Sequence, residues 1–147
     1  TDQFISEKVK IVVDCGMTPI LCVGETLQQN EEGKTFSVVE SQLKIGLQHI
    51  SSSLINNVVI AYEPVWAIGT GKNASPQQAQ QVHLFIKRVL EKIYGGSSTM
   101  VRVLYGGSVK PENIDELMSQ PDINGVLVGG ASLKIESFSR IVSFKKN

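Results

Sequence analysis

Glu63 follows an apolar run, Val58-Val59-Ile60-Ala61-Tyr62, and immediately precedes Pro64. The proline restricts the Glu63 backbone to extended values. The next segment, Val65-Trp66-Ala67-Ile68-Gly69-Thr70-Gly71-Lys72, mixes large apolar side chains with glycine where a loop is expected. Loops usually expose polar groups, so Trp66 and Ile68 need something to cover, as a lid closing over a site would. A carboxylate under an apolar lid loses solvation and gains basicity, which a general base requires. The bland alternative is a solvated glutamate at a strand end. A different chemistry attaches to Gly106-Gly107-Ser108 and Gly129-Gly130. Glycine lets backbone N–H groups approach an anion closely, and a following helix N-terminus adds a favourable dipole. A glycine pair also serves simply to make a tight turn. Two successive pairs, with Ser108 as an extra donor, point to phosphate.

Such residues need elements that bring them together. Phe4, Ile5, Val9, Val12 and Val13 form one helical face, with Thr1 or Asp2 as cap and Gly16 as stop. Pro19 to Val23 reads as a strand buried on both faces. The polar stretch Thr26 to Lys34 reads as a loop. Phe36, Val39, Leu43, Leu47 and Ile50 recur at helical spacing. After the strand Val58 to Tyr62, Ser75-Pro76-Gln77-Gln78 is a capping box with proline in the first helical position. Val82, Ile86, Val89 and Ile93 mark the apolar face of that helix. Val101 to Tyr105 and Gly125 to Val128 read as strands, followed by helices near Pro111–Met118 and Ile135–Val142. Strict β/α alternation predicts a parallel sheet with right-handed crossovers, in one domain over residues 1–147. In such folds ligands bind beyond the carboxyl ends of the strands, where Gly24-Glu25, Glu63-Pro64 and the glycine pairs fall.

Composition narrows the partners. The 147 residues carry 14 Lys and Arg against 14 Asp and Glu, a net charge of zero. That balance argues against nucleic acid, whose binders carry a basic excess, but not against a small anion. No apolar run is long enough for a membrane span, and the first residues do not form a signal peptide. Two cysteines, Cys15 and Cys22, are too few for a disulfide scaffold or a four-ligand zinc site. Both read as small buried residues in a reducing, cytoplasmic compartment. His49 and His83 fall in helical segments and read as structural. The first methionine is Met17, which hints that the chain starts within a longer protein.

The stretch Ala61 to Lys72 resembles the catalytic strand and lid of the triosephosphate isomerase family. Tyr105-Gly106-Gly107-Ser108-Val109 and Leu127-Val128-Gly129-Gly130-Ala131-Ser132-Leu133 are similar to its two phosphate loops, in the right order. Cys22-Val23-Gly24-Glu25 and Gly33-Lys34-Thr35 are similar to the strand and helix start that precede them. The resemblance covers essentially the whole chain and implies an α/β fold of the TIM (β/α)8 barrel type. It further implies glycolytic and gluconeogenic interconversion of dihydroxyacetone phosphate and glyceraldehyde 3-phosphate through an enediolate, with no cofactor and no metal. Lid closure over a tuned base is the family's known mode. By resemblance Glu63 is the base, while Gly69, Ser108, Gly129 and Gly130 hold the phosphate. Ile68 and Leu127 press around the Glu63 carboxylate. Pro64, Val65, Trp66, Ala67, Ile68, Thr70, Gly71, Lys72 and Ala74 make up the lid and its hinges. Tyr105 and Ser108 latch the closed lid near Ala74 and Gly71.

Asn73, Asn124 and Ile135 stand where the family often has Thr, Asp and Pro. A complete barrel has eight βα units in roughly 250 residues. Only the last four units are legible here, preceded by the helix of the fourth. The family's electrophilic His and its Asn and Lys on the first loop have no counterpart in this chain. The expectation is a chain inactive by itself, with open sheet edges that favour aggregation or self-association. The family's homodimer contacts lie mainly in the unrepresented half. The competing expectation is a non-catalytic half-barrel that binds phosphate or a partner.

Overall fold

In the computed structural model, which describes residues 1–68 and 73–145, four strands form one parallel sheet in chain order. They are β1 (Ile20–Val23), β2 (Val59–Tyr62), β3 (Val103–Tyr105) and β4 (Gly125–Val126). The helices are α1 (Asp2–Asp14), α2 (Leu27–Glu31), α3 (Thr35–Gly46), α4 (Pro76–Tyr94), α5 (Ile114–Met118) and α6 (Ile135–Val142). The register pairs Leu21 with Ile60, Ile60 with Val103, and Tyr62 with both Val23 and Tyr105. Parallel partners share a face, so these residues project together into the layer beneath the helices. There they join Val39 and Leu43 of α3 and Ile86 and Leu90 of α4 in one buried cluster. Alternating β and α elements with a sheet in sequence order make this the partial α/β barrel that the sequence predicts.

Several local expectations need correction. The stretch after Gly24 is not all loop. Thr26 and Gln29 form a complete capping box that starts α2, a short helix with no buried residue to betray it. Strand β1 is not buried on both faces, because Ile20 and Cys22 are exposed while Leu21 and Val23 are buried. No described element covers that face at the β1 edge, whereas β2, flanked by β1 and β3, is buried throughout. Phe4 and Ile5 are exposed on α1, which buries Ser6, Val9 and Val13 instead. Ile93 is exposed on α4, and Leu90 and Tyr94 take its place in the core. His49 lies in the turn after α3 rather than in a helix. The capping box of Ser75 and Gln78 forms as read.

Among the described residues, β1 and β4 each keep one unpaired edge. Large apolar side chains are exposed on the flanking helices, among them Ile11 on α1 and Ile135 and Val142 on α6. No described helix is long and apolar enough to cross a membrane.

His83 of α4 is wholly buried, with its ring between those of Tyr62 and Tyr105 at 6.0 and 6.4 Å. Neither ring nitrogen has a hydrogen-bond partner among the described residues. Burial lowers its pKa to about 4, opposed by the backbone carbonyl of Asp122, which lies near the ring without meeting hydrogen-bond geometry. The Lys87 ammonium lowers it further and the Asp122 carboxylate raises it. The unfolded chain therefore binds this proton between pH 6.5 and about 4 while the folded chain does not. The contribution is fully present above pH 6.5 and is lost as the pH falls towards 4, by about 3 kcal/mol in all. Urea unfolding of the protein and of His83→Gln across that range measures it. The variant should lose less stability on acidification, and parallel pH profiles would contradict the account.

Candidate active site

The strand ends form a staircase of backbone hydrogen bonds that continues past the sheet. Glu63 N–H donates to Val23 O at 2.8 Å, Gly106 N–H to Tyr62 O at 2.8 Å, and Leu127 N–H to Tyr105 O at 2.9 Å. Each residue just beyond a strand is thus fixed to the neighbouring strand. Gly24 is clamped from α3 by the Gln42 carboxamide, which accepts its N–H at 2.8 Å and donates to its carbonyl at 3.1 Å. A Cβ at Gly24 would lie 1.9 Å from the Glu63 carbonyl oxygen, so only glycine lets the two ends meet.

The half-buried Glu63 opens into a cleft of about 670 Å³. Its lining brings Glu63 together with Ile68, Leu127, Ser108, Gly129 and Gly130, all singled out by the sequence. The two glycine pairs differ in what they do. A Cβ at Gly106 would meet Glu63 Cγ at 2.5 Å and Oε1 at 2.8 Å, and one at Gly107 would meet the Tyr105 hydroxyl at 2.2 Å. Packing within the protein alone demands that first pair. At Gly129 and Gly130 a Cβ would meet nothing within 4 Å, so this backbone is open to an approaching ligand. Glu63 is the one acidic residue and Lys110 the one basic residue among the described lining.

Behind the cleft, the sequence reading missed the central carboxylate. Glu25, just after β1, is completely buried. Its Oε1 accepts from the Trp66 indole N–H at 2.8 Å and from the Asn30 side chain at 3.0 Å. The Tyr62 hydroxyl donates to both carboxylate oxygens, at 3.3 and 3.2 Å. The Glu25 carbonyl also accepts Val65 N–H at 3.0 Å. One residue therefore ties β1, the end of β2, α2 and the start of the Val65–Ala67 turn. Burial foremost, and then the Glu25 charge, raise the Tyr62 phenol far above its ordinary pKa. Its hydroxyl stays protonated as a donor. The available signal was Gly24-Glu25 at a strand end, where ligand-binding residues of such folds gather.

In the lid segment, Pro64 and Ala67 are buried, Trp66 is half-buried, and Val65 and Ile68 are exposed. Gly69, Thr70, Gly71 and Lys72 lie outside the described residues. Ala74 is buried, and its backbone N–H lies close to the Tyr105 hydroxyl, lowering that phenol's pKa against the larger upward effect of burial. The approach falls short of a hydrogen bond, and the buried hydroxyl has no partner among the described residues. The Cys22 thiol was also missed. Burial first, and then the nearby Glu63 carboxylate through its pull on the thiol proton and its charge, push it up to about 11. The residue keeps exposed surface on the open sheet face although its sulfur is partly buried. Both histidines are away from the cleft lining, and no group of three His, Cys, Asp or Glu among the described residues could hold a metal ion.

The comparisons agree with this architecture. A family model described as triosephosphate isomerase matches residues 1–145. A triosephosphate isomerase of Syntrophotalea carbinolica is 54% identical over 146 residues, covering 99% of this chain and 58% of the relative. One from Trichlorobacter lovleyi is 57% identical over the same shares, and one from Carboxydothermus hydrogenoformans is 54% identical over 143 residues. The chain thus spans little more than half the length of the curated relatives it matches.

Alkylation by iodoacetamide tests the geometry around the thiol. Cys22 reactivity should rise roughly tenfold per pH unit up to a midpoint near 11. Glu63→Gln should move that midpoint down, because it removes a charge that opposes the thiolate. A midpoint in the ordinary thiol range, unmoved by the substitution, would contradict the contact.

Proposed function

The chain belongs to the triosephosphate isomerase family, and on that premise we propose that it is the part of a triose-phosphate isomerase bearing the base and the phosphate loops. We read residues 1–147 as the carboxyl-terminal half of a single (β/α)8 barrel domain. The supporting observation is the single cleft in which Glu63, Ser108, Gly129 and Gly130 meet. In the proposed reaction the Glu63 carboxylate takes a proton from the carbon beside the substrate carbonyl. The electron pair moves onto the carbonyl oxygen, giving an enediolate. The proton on the adjacent hydroxyl passes to that oxygen, the resulting carboxylic acid returns its proton to the neighbouring carbon, and the aldehyde and ketone exchange places. No electron is gained or lost, so no redox cofactor is required.

The phosphate of dihydroxyacetone phosphate or glyceraldehyde 3-phosphate would lie against the Ser108 loop, the open backbone of Gly129 and Gly130, and Gly69 of the lid. Ile68 and Leu127 line the same cleft as Glu63 and would exclude water from it. Exclusion matters because an enediol phosphate in water eliminates its phosphate. The Glu25 cluster would anchor the Trp66 hinge of the lid, and Tyr105 beside Ala74 would receive its other end. The enediolate oxygen needs electrophilic donors, and no histidine lines the cleft among the described residues. These donors, the lysine of the first loop and the homodimer contacts would come from sequence outside this chain. A cytoplasmic site of action suits the two free cysteines.

Kinetic assay of the full-length protein tests the base. Glu63→Gln should lower kcat by about 10²–10⁴ with little change in KM. Unchanged kcat would remove Glu63 from the reaction. The chain by itself should show negligible turnover until mixed with its complementary half. Full activity from residues 1–147 alone would contradict the assignment of the missing donors.

A further inference from the structure

The loop from Ser108 to Asn113 contains a constraint that the reaction just described does not explain. Asn113 is the N-cap residue of α5, yet its side chain makes no capping bond to that helix. The carboxamide turns back into the loop instead. Its Oδ1 accepts Lys110 N–H at 2.8 Å, and its Nδ2 donates to the Ser108 carbonyl at 2.9 Å. The Lys110 carbonyl in turn accepts the backbone N–H groups of Asn113 and Ile114, both at 3.2 Å. One amide side chain therefore brackets Val109, which is buried at 6% exposure and fixes the middle of the segment. Ser108, Val109 and Lys110 all line the cleft, and Lys110 is its one basic residue among those described. An N-cap asparagine ordinarily satisfies its own helix, so giving up that bond needs a reason in the loop.

We propose that Asn113 is a positioning residue for the anion end of the cleft, splinting Ser108–Lys110 so that this wall is preformed for a phosphate. The inference rests on the isomerase reading and deepens it, because it separates recognition of the phosphate from the proton transfer at Glu63. A preformed wall lowers the ordering cost of binding, and the benefit falls only on ligands that carry the anion. Both ends of the carboxamide are used, one as acceptor and one as donor. Leucine, of similar size, keeps neither bond, while threonine keeps one at most.

The test uses the full-length protein with Asn113→Leu and Asn113→Thr. Asn113→Leu should raise KM for dihydroxyacetone phosphate and the inhibition constant of inorganic phosphate by about tenfold, with kcat changed less than about twofold. Asn113→Thr should raise both by about threefold. Deprotonation of unphosphorylated glyceraldehyde, read as deuterium uptake from D₂O, should be unchanged in both variants. Equal losses on phosphorylated and unphosphorylated substrates, or an unchanged inhibition constant for phosphate, would reduce Asn113 to a turn residue. Should Asn113→Leu fail to fold, Asn113→Thr alone carries the comparison. An unsubstituted protein without isomerase activity would refute the proposed function instead. Inorganic phosphate titrated against that protein and Asn113→Thr by ³¹P NMR would then decide the role of Asn113, with equal affinities overturning it.

Discussion

A carboxylate taken wholly out of water must be surrounded by donors, and much of this structure is arranged around that requirement at Glu25. Its donors come from Asn30, Tyr62 and Trp66, five, 37 and 41 residues away. Meeting them fixes where α2 sits, where β2 ends and how the lid segment departs. Tyr62 occupies the strand position just before Glu63, so the same bond that satisfies Glu25 sets the backbone that presents the candidate base. Removing one donor would leave a buried charge partly unpaired, which is far more costly than losing a surface bond. Hinge and base are therefore coupled through a group that itself lines no part of the main cleft.

The second constraint is close approach at the carboxyl edge of the sheet. Gly24 lets the Glu63 backbone pass, and Gly106 leaves room for its side chain. The glycines of the two loops thus divide their duties. One pair makes space for the protein's own carboxylate and tyrosine, and the other leaves space that no described atom fills. Zero net charge is compatible with this arrangement, since an anion can be held by backbone donors with Lys110 the one lysine in the described lining.

Local patterns in the sequence anticipated the elements that local patterns determine. The apolar run before Glu63, the Ser75 capping box and the stripe on α4 all became the expected strand, cap and helix. The resemblance at residues 61–72 and the two glycine pairs led to the family. What was missed depends on distant partners. Thr26 and Gln29 satisfy each other in a polar stretch, where no hydrophobic period draws attention to α2. Cys22 appeared to be a buried apolar residue because the Glu63 carboxylate near its thiol is 41 residues on. Asn113 looked like part of a helix start, although its carboxamide serves the preceding loop. The exposure of Ile20 likewise follows from sheet geometry and not from anything in β1 itself.

The central claim is that this cleft moves a proton between adjacent carbons of a phosphorylated triose. The most direct measurement converts dihydroxyacetone phosphate with the full-length protein in D₂O and follows the products by ¹H NMR. A base that takes and returns a proton exchanges it with solvent in some turnovers, so deuterium should appear at carbon 2 of glyceraldehyde 3-phosphate. Product formed wholly without deuterium would indicate a direct hydride shift and contradict the role given to Glu63, while no product at all would contradict the isomerase reading itself.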